Sequence, residues 1–436
     1  MTSDIGPAKP GSSSRDVEEP DETAPLLGLT LAPIEKINPL GKEVTLLTAF
    51  MLNVGQIAGS GIYAVPGVIL NSVGSIGLLL IYWLVAPLFA FAGLMLYSEL
   101  ASMFPHRSGA EVVYLEQAYP RPRFLVSTSF AVITILTSFS ASNAIVFAQY
   151  FLTALQIPIT AYSQTVKSNH AYIGWHNAFN VLGEVRGRDP VRTVRKASIL
   201  SLSAASILFF FINVAYVAAV PAEEIRNSGQ LVAVLFFQRV FGQSFGTKIF
   251  PLLVALSCFG NIIAVTVGQA RIIREVARQG LLPYPSFFAS TKPFGTPLGP
   301  VALKAFLTVI VILAVPARDT FNFVLDLASY PNLIFQAAMV AGVWILRKRR
   351  AEQGIPPSSL QARNALIIAY LTSCILLLVL PWVPPEPGHA DVSFWYATYC
   401  VAGLALIAAC GVYYVIWVIV LPKLGGYEIV EEEEDS

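Results

Sequence analysis

Gly59, Ser60 and Gly61 lie near the middle of an apolar run from about Leu46 to Leu70, with Pro66 close behind them. The run is long enough to cross a bilayer, which takes ~20 apolar residues. Two glycines two apart each lower helix propensity by roughly 1 kcal/mol relative to alanine. A helix that opens here bares backbone N–H and C=O groups at membrane depth, which is tolerated only inside protein or beside a watery cavity. Such interruptions hold small ions and zwitterions. The N–H groups of Ser60, Gly61 and Ile62 would stand at the positive start of a second half-helix and suit a carboxylate. Carbonyls before the break, such as those of Gln56 and Ile57, would suit an ammonium. A second reading stays open at this point. Gly55 and Gly59 are spaced four apart, as small residues are where two membrane helices pack closely.

Other reactive constellations are missing from the sequence. It holds no Gly-x-x-x-x-Gly-Lys phosphate loop and no metal-ligand pair at helical spacing. Cys258, Cys374, Cys400 and Cys410 all fall in apolar runs and read as small buried hydrophobes. The expectation is therefore a protein that is not an enzyme and needs no cofactor, metal or nucleic acid.

The elements that must position the break are membrane helices. Hydrophobic residues make up 55% of the chain and charged residues 13%, where soluble domains carry about 25% charged. Mean hydropathy is +0.64. Residues 1–43 are polar, lack an apolar leader and read as a disordered cytosolic tail, and 423–436 as an acidic cytosolic tail. Between them, 44–422 forms one membrane domain. Its spans fall near 46–70, 76–103, 124–155, 198–220, 248–270, 299–316, 321–346, 364–383 and 394–421. Ser138, Ser140, Ser142 and Asn143 can hydrogen-bond across helices within the third span. Residues 171–185 look helical but are too short to cross alone, and a polar stretch with Lys167 precedes them, so they read as a half-span.

Charge placement sets orientation. With the N-terminus in the cytosol and every segment crossing once, the inner loops hold Arg107, Arg121, Arg123, the Arg186–Lys196 cluster, Arg271, Arg274, Arg278, Lys292 and Arg347 through Arg350. The outer loops hold Lys167, Arg226, Arg239, Lys248 and Arg318, so the positive-inside bias favours both termini inside.

Several separated pieces then resemble one family. Ile57-Ala58-Gly59-Ser60-Gly61-Ile62-Tyr63 resembles the broken first helix of the amino acid–polyamine–organocation superfamily. Tyr97-Ser98-Glu99-Leu100 with Phe104-Pro105 and Ser108-Gly109 resembles the end of its second helix and the loop beyond. Gly174-Trp175-His176-Asn177 with Asp189-Pro190-Val191-Arg192-Thr193 resembles the second half of its sixth helix. Gly268-Gln269-Ala270-Arg271 resembles its eighth. Within that superfamily the pieces resemble the L-type amino acid transporter branch, with its fungal methionine-permease-like members.

The resemblance implies an all-α polytopic fold of five-plus-five inverted repeats. It also implies secondary transport of a neutral L-amino acid such as methionine by alternating access, at the plasma membrane. The substrate carboxylate would meet amides of Gly59, Ser60 and Gly61, around Ala58. The amino group would meet carbonyls near Ile57, Tyr172 and Ile173, and Gly174 would be the break of the sixth helix. Only about fifteen residues join Leu155 to Ala171, where the family has its fourth and fifth helices and the first half of its sixth. The first repeat would thus be incomplete, and a non-transporting sensor or an inactive truncated permease is the alternative.

Four further residues carry weighed readings. His176, two residues past Gly174, is a candidate for coupling protons to transport, or a packed histidine. Glu99 is expected to pair with a basic loop residue in a structural role. Asp326 is either functional or facing water near the outer surface. Lys304 is expected to snorkel from the start of its span.

Overall fold

The computed structural model describes residues 39–59, 73–105, 107–137, 174–227, 232–314, 318–384 and 397–427, with positions 63, 66, 67, 69, 70, 144, 147, 150–152, 154, 155 and 395 between them. The expected tails fall outside these except for 39–43 and 423–427, as do the polar positions 138–143, the stretch 156–170 and the Asp326 side chain.

The described residues are helical almost throughout. α1 (Leu46–Ile57) starts where the Thr45 hydroxyl accepts from Thr48 N at 3.2 Å. α2 (Ile76–Met103) starts at Ser75, whose hydroxyl accepts from Leu78 N. Both use the short hydroxyl side chain that satisfies a first-turn N–H. α3 (Glu111–Ala118) is the short piece expected after the second span, and α4 (Leu125–Leu136) follows it. α5 (Pro190–Ala219) starts earlier than expected, because Asp189 caps Arg192 N at 2.9 Å and Pro190 fits the first helical position.

Next come α6 (Ala222–Asn227) and α7 (Val232–Phe241), in a stretch expected to be loop. α8 (Phe250–Arg278), α9 (Pro285–Ala289), α10 (Leu298–Ala314) and α11 (Arg318–Glu352) follow. α12 (Asn364–Val379), α13 (Thr398–Tyr414) and α14 (Leu421–Gly425) complete the chain.

Six helical stretches among the described residues are long and apolar enough to span a membrane: 76–103, 190–219, 245–278, 329–352, 364–382 and 398–425. Large apolar side chains such as Leu84, Leu88, Leu208, Phe211 and Leu256 stay exposed on them. A continuous outward apolar surface of that kind suits lipid rather than water. The protein is an all-α polytopic membrane protein. α1 packs between α5 and α8, burying Ala49, Asn53 and Ile57 and leaving Leu47 and Met51 exposed.

The half-span is not an α-helix. Residues Asn177–Glu184 wind as 3-10 turns on either side of a kink at Val181 (φ −107°, ψ 21°), preceded by a turn at 174–176. It is strapped to the start of α1 by a parallel bridge, Val44 N to Glu184 O at 3.0 Å and Arg186 N to Val44 O at 2.9 Å. A tighter winding closes its turns with i→i+3 bonds, and Asn180 O is free to accept from Gly109 N of the neighbouring loop at 3.2 Å.

Buried ion pairs collect at one end of the bundle. Glu99, fully buried, is gripped by Arg347 through Nε and Nη2 at 2.7 Å each, and also accepts from Ala362 N at 2.8 Å. Its partner is thus on α11 rather than in a loop. Arg271 clasps Glu184 at 2.8 and 2.9 Å, and Arg107 lies between Glu116 and Glu275. Lys304 does not snorkel: it is 2% exposed and bonds the side-chain oxygen of Gln269 on α8. Its face of α10 turns toward α8, where the Gln269 amide oxygen takes the ammonium in place of water.

Candidate functional site

α1 stops at Ile57. Ala58 N still bonds Val54 O at 2.7 Å, but Ala58 itself has φ −80° and ψ 48°, outside the helical range. Of the described positions that follow, 63, 66, 67, 69, 70 and 73 are helical. Of the residues expected at the break, Ile57 and Gly59 are buried and Ala58 half-buried, while Ser60 and Gly61 lie outside the described residues. Tyr172 and Ile173 lie outside them as well.

A helix that ends inside protein leaves its last carbonyls without intrahelical donors. Here α8 supplies them. The Asn261 side-chain nitrogen donates to Gly55 O at 3.0 Å and also to Gln56 O, and the Ser257 hydroxyl donates to Ala58 O at 2.6 Å. Two buried acceptors around the break have no partner among the described residues, Gln56 Oε1 and Asn261 Oδ1. With its nitrogen fixed by two carbonyls, Asn261 can present only its oxygen to anything else.

Gly174 packs against the end of α1. Gly174 has φ +123°, and a Cβ there would come within 2.6 Å of Gln56 Cγ, 2.8 Å of its Cβ and 2.9 Å of its backbone carbon. Only glycine allows both the conformation and the approach. Beyond it, Asn53 on α1, fully buried, accepts from Ala178 N and donates to Ser198 Oγ on α5, both at 2.9 Å. Asn177 donates to Ala264 O of α8 at 2.8 Å, and a Cβ on Gly268 would fall on its amide oxygen. Buried polar groups must be partnered, and Asn53 and Asn177 join α1, α5, α8 and the 3-10 segment.

His176 is 18% exposed in its side chain. It points along this layer toward Glu111, with Nε2 3.9 Å from Oε1 and its ring beside those of Tyr97 and Trp175. The sequence reading singled out Ile57 through Gly61, Gly174 and His176. It missed Asn53, Asn177, Ser257 and Asn261. A lone asparagine inside an apolar run was the available signal for Asn53 and Asn261.

The arrangement sets the end of α1 against Gly174, with Gln56 Oε1 and Asn261 Oδ1 unpaired among the described residues. Comparison with known proteins identifies the family of the chain. A family model described as "Amino acid permease" matches residues 44–169 and 170–407. The high-affinity methionine permease of Saccharomyces cerevisiae is 28% identical over 475 aligned positions, covering 90% of this chain and 82% of that protein. The low-affinity methionine permease of the same yeast is 26% identical, over 90% of this chain and 85% of its own. The human large neutral amino acids transporter small subunit 2 is 24% identical over 79% of this chain and 77% of that protein. The two yeast alignments are longer than the 436-residue chain, so those relatives carry residues with no counterpart here. With the family model covering most of its length, the chain belongs to the amino acid permease family.

Proposed function

We propose that this permease is a secondary active transporter of neutral L-amino acids, methionine among them, working by alternating access in the plasma membrane with both termini cytosolic. The observation that carries the reading is the meeting of the α1 break with Gly174. A zwitterion at that junction has its carboxylate at the amides of Gly59, Ser60 and Gly61, at the start of the resumed helix, where the dipole favours an anion. Its ammonium takes carbonyls near Ile57, Tyr172 and Ile173. The unpaired Gln56 Oε1 and Asn261 Oδ1 favour a cationic donor there, since a buried acceptor left alone costs about 1–3 kcal/mol. Apolar Ile57 and Ala58 beside neutral amides suit a neutral side chain better than a charged one. The names of the yeast and human relatives agree with that class.

Transport is gradient-driven, with His176 as the candidate proton carrier. The permease domain spans 44–422 in a five-plus-five inverted-repeat plan whose first repeat is incomplete. A second reading is favoured by a specific observation: the family match breaks between residues 169 and 170. On that reading the fourth and fifth helices and half of the sixth are lacking, and the chain is an amino-acid sensor or an inactive truncated permease.

Uptake of labelled methionine into a permease-deficient host, beside binding to the purified full chain, separates the two. Saturable uptake supports transport. Binding without uptake supports the sensor, and neither supports the inactive permease.

A further inference from the structure

Five carboxylates are buried among the described residues: Glu99, Glu111, Glu116, Glu184 and Glu275. Four of them have an arginine within ion-pair distance. Glu99 has Arg347 at 2.7 Å, Glu116 has Arg107 at 3.3 Å, Glu184 has Arg271 at 2.8 Å, and Glu275 has Arg107 and Arg278 at 2.9 and 3.1 Å. A guanidinium never releases its proton in a protein, so each of those four carboxylates faces a fixed cation. Glu111 differs. Its cationic neighbour is an imidazole, His176, at 3.9 Å. An imidazole gains and loses its charge in the physiological range.

The surroundings of Glu111 sharpen the contrast. Oε1 accepts from the Tyr97 hydroxyl at 2.7 Å, while Oε2 is buried without a partner. Among the described residues, the remaining titratable groups near the pair are phenols: Tyr97 from α2, Tyr114 from α3 itself, and Tyr370 from α12. Burial, and then the Glu111 charge, hold the Tyr114 phenol well above its ordinary range, so it stays neutral. Arg107, on the loop before α3, is committed to Glu116 and Glu275. A buried carboxylate with one hydrogen bond and no fixed cation is under-compensated.

We propose that Glu111 and His176 form a proton-binding pair, in which a proton taken from solution onto the His176 imidazole is held by the Glu111 carboxylate. The 3.9 Å gap is too long for a hydrogen bond. Closing it by roughly 1 Å gives a charge-assisted bond of the usual length. Protonation therefore draws the turn at Gly174 toward α3, and deprotonation lets it go. His176 lies two residues from the glycine against which Gln56 packs, so the same movement reaches the α1 break. The coupling of this proton to substrate rests on the transport reading above, whereas the proton-binding pair itself does not.

The test uses the full chain in lipid nanodiscs with carbon-13-labelled histidine. The resonance lost in His176→Gln is followed with pH in wild type and in Glu111→Gln. Without the carboxylate the imidazolium loses its anion, and the change-over moves to lower pH by about half a unit or more. Tyr97→Phe, which removes the hydrogen bond that competes for Oε1, moves it the opposite way and serves if Glu111→Gln does not fold. A change-over that neither variant moves overturns the proposal, whether or not the chain transports. In the uptake assay, the ratio of methionine uptake at about pH 5 to that at about pH 8 falls to near one in Glu111→Gln. A wild-type ratio in that variant overturns the coupling role. An absence of uptake by the wild-type chain counts against the transport reading and leaves the resonance to decide on the pair.

Discussion

Gly174→Ala is the perturbation on which the two-break geometry bears most directly. The new methyl group would stand 2.6 Å from Gln56 Cγ and 2.9 Å from the Gln56 backbone carbon, on a residue whose φ is +123°. The conformation alone costs an L-residue about 1–2 kcal/mol. Forcing a methyl into a filled space adds about 1–3 kcal/mol. The sum, roughly 2–5 kcal/mol, corresponds to a loss of at least ~30-fold in any equilibrium that requires the two breaks to touch. The assay is thermal unfolding of the detergent-solubilised full chain, run beside methionine binding. Both should fall in Gly174→Ala. Gln56→Gly in the same background removes the side chain and should recover part of the loss, because the backbone overlap and the strained φ remain. A Gly174→Ala protein with wild-type melting and binding would refute the reasoning, since the two segments could not then be in contact.

Other substitutions follow from single contacts. Asn261→Ala strips two donors from the end of α1 and leaves the Gly55 and Gln56 carbonyls bare, at about 1–3 kcal/mol each, so methionine binding should weaken at least tenfold. Asn261→Asp should do no better, because an anion cannot donate to those carbonyls. Glu99→Ala leaves Arg347 beside an empty site and should destabilise the fold by about 3–5 kcal/mol, read as lowered melting with little change in the affinity of what remains folded. His176→Gln should flatten the pH profile of uptake, while an unchanged profile would remove His176 from coupling.

The parts of this fold legible in the sequence were those written in neighbouring residues. Gly59-Ser60-Gly61 marked the place where α1 ends, and the length of the apolar runs marked the spans. Gly174 was flagged through family likeness, but the reason it must be glycine is Gln56, which the chain brings there from more than a hundred residues away. The donors that cap α1 were hidden for the same cause. Ser257 and Asn261 sit about two hundred residues beyond the carbonyls they serve. Lys304 was misjudged because snorkelling or burial depends on how the helix is rotated, and its local sequence is consistent with either. α6 and α7 were passed over as loop because they are shorter than a membrane span, although α7 offers a largely apolar face. The 3-10 winding of 177–184 depends on its strap to Val44 and its bond to Gly109, neither of which has a local signature.

The central claim is that main-chain groups at the α1 break grip both charged ends of an amino acid. Competition against labelled L-methionine on the purified full chain tests it most directly, with methioninol, which lacks the carboxylate, and with the deaminated acid, which lacks the ammonium. Each lost charge-assisted set of hydrogen bonds is worth about 1.5–3 kcal/mol, so each analogue should compete at least ~10-fold more weakly than methionine. Analogues that compete as well as methionine would contradict the account, because the site would then be reading the side chain alone.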